Sequence, residues 1–380
     1  MLAIIITAYN RAEPLKTLLE SLSKVVNKGE DVPLIISIDN QGTPEVNKVA
    51  EDFIWEKGKK EVIIHQEKMG LVSHFIWVGD QTEHYDHVLF LEDDLIVSPC
   101  LLEYARQIID FYENDNEVAA AALYNPILNE LTGTKFFQLD DGKDVYFLQH
   151  PYWGNIWFKS KWPEFKAYLK TYSPKDEILP AKFAGWKKSF KRRYIQYLVE
   201  SRKTVVIPRV SIISNNGCRG LHNDKDPFMY QNVLRLVCGK LRLVESTGSL
   251  SKYDAYYEIY PEILKHFNKE LTSYDFATDL NGSHLDYDKE YVLTTKPTSS
   301  FIMRFSSQMK PTESGVVFNV KGDEGVVLCK SKDIIEARAF YKKRKWVDIE
   351  KNYSIVPSFG FLSIILKKVC DFYMRRLFSN

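Results

Sequence analysis

The sequence predicts an α/β chain in which a mostly parallel sheet flanked by helices is followed by a smaller mixed region. Over the first 125 residues, short β-branched runs alternate with segments whose apolar residues recur at helical spacing. The short runs are apolar almost without interruption, as strands buried on both faces are, and such strands form parallel sheets covered by helices. Beyond about residue 240 the character changes. Tyr-rich helical text (YDAYYEIYPEILKHF) gives way to a polar stretch and then to SGVVFNV and EGVVLCKS, which read as further strands.

The elements follow in order. A first strand is expected over 2–7, then a helix over 14–26 with Leu15, Leu18, Leu19 and Leu22 on one stripe. Strand 33–39, helix 43–56, strand 61–65, helix 70–81 and strand 87–91 continue the alternation. Helix 99–113 sets Leu101, Leu102, Ala105, Ile108 and Ile109 on one face, and strand 118–124 closes this part. From about 126 to 222 the pattern loosens and turns aromatic, as in YFLQHPYWGNIWFKSKWPEF. No internal repeat or low-complexity tract interrupts the chain. The final text, FLSIILKKVCDFYMRRLFS, sets apolar residues against Lys367, Lys368, Arg375 and Arg376. Such a basic amphipathic helix suits either peripheral contact with an anionic membrane or docking on its own domain.

Composition narrows the function. Lys plus Arg is 51 against 50 Asp plus Glu, a formal charge of +1, so no global field recruits nucleic acid. The 22 Tyr, 22 Phe and 7 Trp suit clefts for ring-shaped ligands, and equally suit filled cores. Five cysteines show no C-x-x-C spacing, and reduced thiols in a cytosolic protein are expected. The opening MLAIIITAYNR reads as a first strand rather than a signal peptide, and no run of 18 apolar residues predicts a membrane span.

Ligands bind at the carboxyl ends of strands in open α/β sheets. Here those ends read TAYNR, Asp39-Asn40 and Glu92-Asp93-Asp94. Three adjacent carboxylates repel one another and lose hydration unless a cation neutralises them. Mg²⁺ and Mn²⁺ take such oxygens and share them with phosphates, so a nucleotide diphosphate leaving group is one use; an acidic helix cap is the plain alternative. Asp39 can accept the imide N–H of uracil or a ribose hydroxyl, or simply begin a turn. Arg11 can pair with phosphate through its fork of donors, or lie idle on the surface.

These motifs, TAYNR, GLVSHFIWVGDQ, EDDLIVSP, HPYWGNIWFKSKWPEF and IPRVSIISNNGCRGLH, fall in order over about 220 residues. Together they resemble the GT-A fold glycosyltransferases, both the bacterial family 2 type and N-acetylglucosaminyltransferase I. The resemblance implies a GT-A domain over 1–240, with a nucleotide half (1–125) and an acceptor half (126–240), and a C-terminal accessory region over 241–380. It implies Asp94, with Asp93, on a Mn²⁺ or Mg²⁺ ion, and Glu92 and Asp93 near the ribose and bound waters. Thr7, Tyr9 and Arg11 would line the nucleotide, Asp39 and His74 would meet the base, and Trp153, Gly154 and Glu164 would face the acceptor. The stretch 215–222, with Gly217, Gly220 and His222, would cover the donor.

Inverting relatives carry an aspartate base on the helix before the IP strand, but here that position falls on or near Lys191. Asp176 and Glu177 become the base candidates, with Glu164 as another. The basic cluster on that stretch (Lys187, Lys188, Lys191, Arg192, Arg193) is either a solvated face or a contact for an anionic, lipid-linked acceptor. The expected reaction is transfer from a UDP-sugar, with N-acetylglucosamine as first candidate, to a glycan or lipid-linked hydroxyl. Surface polysaccharide synthesis in the cytoplasm, at the inner face of the membrane, would suit it. Two rivals stand: a nucleotidyltransferase, against which TAYNRAEP lacks the glycine-rich loop, and a non-catalytic sugar- or nucleotide-binding domain, which Lys191 favours.

Overall fold

The computed structural model describes residues 1–217, 230–322 and 325–335. Its first elements are β1 (Leu2–Ala8), α1 (Ala12–Ser23), β2 (Leu34–Ile38), α2 (Pro44–Asp52), β3 (Lys60–Ile64) and α3 (Leu71–Asp80). Then come β4 (His87–Glu92), β5 (Leu95–Val97), α4 (Leu101–Tyr112), β6 (Val118–Ala122), β7 (Val145–Leu148) and β8 (Asn155–Phe158). Helices α5 (Trp162–Lys170), α6 (Ala181–Ala184) and α7 (Phe190–Ser201) precede β9 (Thr204–Pro208), β10 (Ile213–Asn215) and β11 (Lys252–Tyr253). The last elements are α8 (Pro261–Phe267), β12 (Phe276–Asp279), β13 (Tyr291–Thr294), β14 (Met303–Ser306), α9 (Glu313–Val317) and β15 (Gly325–Lys330).

The large sheet runs β11-β7-β9-β6-β8-β4-β1-β2-β3. The block β4-β1-β2-β3 is parallel, and β8 enters antiparallel between β4 and β6. Alternation along each strand sends Ile4, Ile6, Ile36 and Leu89 to one face, where the leucines of α1 and α4 cover them. Ala3, Ile5, Val88 and Phe90 go to the other face. There Trp157, Trp162, Phe165, Phe190 and Tyr194 build an aromatic layer, which absorbs much of the aromatic excess into core. A second, mixed sheet follows, ordered β12-β13-β15-β14. Its Leu293, Phe305 and Leu328 join the same aromatic-side core. The large sheet itself extends past residue 240, because Lys252–Tyr253 pairs in parallel with β7.

Several expectations are corrected. SGVVFNV is not a strand, since 313–317 coil into α9, and a Cβ on Gly315 would collide with the main chain of Ser306. The Tyr-rich text is helical only from Pro261, whose fixed φ opens α8. Cys100 and Cys238 form a disulfide, so these two cysteines are not the reduced thiols expected. Among the described residues no helix is long and apolar enough to cross a membrane. The basic amphipathic tail lies outside the described residues.

One buried acid in α9 couples stability to pH. Burial pushes Glu313 up from 4.5 to about 7. The fold therefore holds its proton more tightly than the unfolded chain does, and that advantage is full below about pH 4.5 and lost as pH rises through 7. Raising pH from 5 to 8 is expected to cost roughly 2–3 kcal/mol through this group. Glu313→Gln should flatten that slope in urea melts at the two pH values; identical slopes in both proteins would clear Glu313 of the effect.

Candidate donor and acceptor site

The parallel register sets the site's residues in rows. Thr7 stands beside Ser37 on one side and Glu92 on the other. Just past the ends of β1, β2 and β4 stand Tyr9, Asp39 and Asp93-Asp94, the last completing the acidic turn that Glu92 begins. That turn leads directly into β5, and β10 pairs back on it antiparallel, matching Asn215 with Leu95. The Asn216 N–H donates to the Asp94 carbonyl at 2.8 Å, and the Gly217 N–H to Asn215 Oδ1 at 2.9 Å. The stem of the glycine stretch is thus fastened to the acidic turn. Gly220 and His222 lie outside the described residues.

Arg11 reaches the turn from the end of β1. Its guanidinium donates to Asp94 Oδ2 at 3.1 Å and closely to Asp93 Oδ1. Burial, with Asp94 and Asp93 beside it, pushes Glu92 up to about 8. Burial also pushes Asp93 up to about 6, against the opposing pull of Arg11. One guanidinium therefore offsets three carboxylates only in part. The donors are hard oxygens, so the residues fit Mg²⁺ or Mn²⁺. Among the described residues no three such side chains converge as a complete cage, and diphosphate oxygens would have to finish the shell.

The base-side candidates do structural duty. Asp39 accepts from the N–H of Met69 at 2.7 Å and of Gly70 at 3.0 Å, fixing the approach to α3. Its carboxylate keeps lone pairs for a ligand, since each oxygen has more than one. His74 is only 4% exposed, and its Nε2 lies 2.7 Å from Ser37 Oγ. Burial pushes it down to about 4, so the ring is neutral at pH 7. In this arrangement it supports β2 rather than offering an edge to a base. Tyr9 Oη accepts from Asn40 Nδ2 at 3.3 Å.

A cavity of about 390 Å³ opens beside the turn, with Glu92 in its wall. Trp153 lines it, its ring 5.1 Å from Tyr124 and 5.2 Å from Tyr230. Gly154 sits behind with φ 61°, and a Cβ there would stand 2.6 Å from Ile213 Cδ1; only glycine fits between β8 and β10. Three expected residues are elsewhere. Asp176 pairs with Arg192, whose side chain is 1% exposed and would otherwise be a buried, unpaired cation. Glu164, on α5, pairs with Lys203. Neither these nor Glu177 is among the residues lining the cavity.

Sequence reasoning missed Glu130, which does line it. Lys191, at the expected base position, donates from Nζ to Glu130 Oε1 at 2.5 Å. The expected basic cluster is thereby divided: Lys191 and Arg192 are paired inward, and Lys187 and Lys188 are exposed.

Residues 3–194 match the family model for glycosyl transferase family 2. No curated protein matches the sequence. Among solved structures the fold is similar to S. aureus TarS 1-349 in complex with UDP-GlcNAc, at 14% identity and TM-score 0.38, covering 58% of this chain and 60% of that one. It is also similar to the mannosyltransferase PcManGT from Pyrobaculum calidifontis in complex with GDP-Man and Mn²⁺, at 9% identity and TM-score 0.34, covering 55% and 56%. A galactosyltransferase, LgtC, in complex with donor and acceptor sugar analogs matches at 16% identity and TM-score 0.34, covering 55% and 73%. The chain thus spans less than two thirds of the TarS structure it resembles.

Proposed function

The chain belongs to glycosyl transferase family 2, and from that premise we propose that it moves a sugar from a UDP-sugar to a hydroxyl of a glycan or lipid-linked acceptor, with inversion. The observation that carries this reading is the acidic turn at the end of β4, whose Glu92 lines the cavity and whose Asp94 is tied to the stem after β10. Asp94 and Asp93 would hold a divalent ion, which when bound neutralises charge on a departing diphosphate. Arg11, already set against both carboxylates, is placed to donate to phosphate. The strand-end groups Thr7, Tyr9 and Asp39 provide hydroxyl and carboxylate partners for the nucleoside. The cavity's rings, Tyr152, Trp153 and Trp186 among them, suit the apolar face of a sugar.

The test is UDP release from UDP-GlcNAc, UDP-glucose and UDP-galactose, with Mn²⁺ and with EDTA. Turnover of at least one donor with Mn²⁺, lost with EDTA, is the expected result. Tight UDP binding with no release from any of the three donors would instead make the chain a sugar-nucleotide binding domain.

A further inference from the structure

We propose that Glu130, in the loop between β6 and β7, is the base that takes the proton from the acceptor hydroxyl. The proposal rests on the transferase reading above. Among the described residues lining the cavity, the carboxylates are Glu92 and Glu130. Glu92 belongs to the acidic turn on the nucleotide side, and Glu130 stands on the wall built by the second half of the sheet. A hydroxyl seated between the aromatic rings therefore meets Glu130 as the carboxylate free of the diphosphate. Asp176, Glu177 and Glu164 do not line the cavity.

Glu130 is held in place from several sides. Lys191 on α7 donates to its Oε1, and the same ammonium lies 4.4 Å above the Tyr152 ring. Lys182 on α6 donates to the Glu130 carbonyl at 2.6 Å. The loop closes on itself at Asn129, whose Oδ1 accepts from the Leu131 N–H at 2.8 Å and whose carbonyl accepts from the Gly133 N–H. Burial pushes the carboxyl up, but Lys191, His150 and Lys182 outweigh burial and hold it below the usual carboxylate range. The group therefore meets the acceptor ionised, with a lone pair to accept a proton, and Lys191 acts as its positioning residue.

The step balances without any further reactant. The acceptor oxygen forms the bond to the sugar's anomeric carbon, and the bond from that carbon to the diphosphate oxygen breaks with its electron pair leaving on UDP. The hydroxyl proton goes to Glu130. This arrangement also accounts for a lysine at the position where the resemblance implies an aspartate: the carboxylate comes from another loop, and the lysine orients it.

Three variants test the assignment, read by UDP release with water as acceptor from whichever of UDP-GlcNAc, UDP-glucose and UDP-galactose wild type turns over fastest. Glu130→Gln should lower release by about 10²–10⁴-fold while UDP affinity, measured by calorimetry, stays within a few-fold. Sodium azide needs no proton removed, so it should restore release in Glu130→Ala and yield the glycosyl azide. If Glu130 merely balances Lys191, then Lys191→Met in the Glu130→Gln background should restore release by removing the unpaired ammonium; a base cannot be restored that way. Release by Glu130→Gln within threefold of wild type, or restoration by Lys191→Met, overturns the proposal. A wild-type protein that releases no UDP sinks the transferase reading instead, and this one with it.

Discussion

Asp94→Asn is expected to abolish metal-dependent UDP release, by about 10³-fold at saturating Mn²⁺, while leaving the chain folded. Stabilising a departing diphosphate is worth several kcal/mol, and each 1.36 kcal/mol is about a factor of ten. The substitution keeps the side chain's size and removes one charge. Its structural cost is small, because the Asp94 carbonyl, not its carboxylate, receives Asn216. Arg11 retains Asp93, which is 6% exposed and its closer partner. A melting temperature near that of wild type would confirm that the turn survives. Release within tenfold of wild type at saturating Mn²⁺ would show that Asp94 does not hold the ion, whatever the fate of the family assignment. Raising Mn²⁺ tests the same point: a variant that has only lost affinity recovers rate, and one that has lost a transition-state contact does not.

The proposed nucleotide side of this molecule was readable in one dimension. Strands such as LAIIITA and HVLFLE are buried on both faces, so their runs of apolar residues identify them without help from neighbours. Strand ends then announce Arg11, Asp39 and the three carboxylates of Glu92, Asp93 and Asp94 by position alone, once Glu92 is recognised as the last residue of β4. The proposed acceptor side was not readable in that way. Glu130 and Lys191 are 61 residues apart and meet only because α7 covers the sheet where the loop after β6 emerges. Nothing periodic marks Glu130, which sits in neither helix nor strand. A lysine at the base position was the available signal, since a buried lysine needs a carboxylate and none of its helical neighbours supplies one. The VVF run near 316 failed for a different reason: a short apolar segment is equally a buried helical turn or a strand, and only the contact with β14 decides.

Reduction of Cys100–Cys238 is expected to produce the largest single loss of stability in the chain. The crosslink spans 138 residues, for which the chain-entropy relation gives about 5 kcal/mol, and native disulfides return roughly 2–5 kcal/mol on removal. The local structure argues for the upper part of that range. Cys238 lies in a stretch without helix or ladder, and its Val233, Leu236 and Val237 are 78%, 70% and 81% exposed, so burial holds it weakly. A few polar bonds fasten it instead: Arg235 N–H to the Ser211 carbonyl at 2.9 Å, and Leu241 N–H to Gln107 Oε1 at 2.7 Å. Cys100, 2% exposed at the start of α4, gives this strap its firm anchor to the core. Urea melts with and without dithiothreitol, alongside a Cys100→Ser/Cys238→Ser double variant, measure the loss. Both routes should lower the midpoint together, and reduction should leave the double variant unchanged. A midpoint that dithiothreitol does not move, with the thiols shown by titration to be free, would mean that the strap is held by its polar bonds alone.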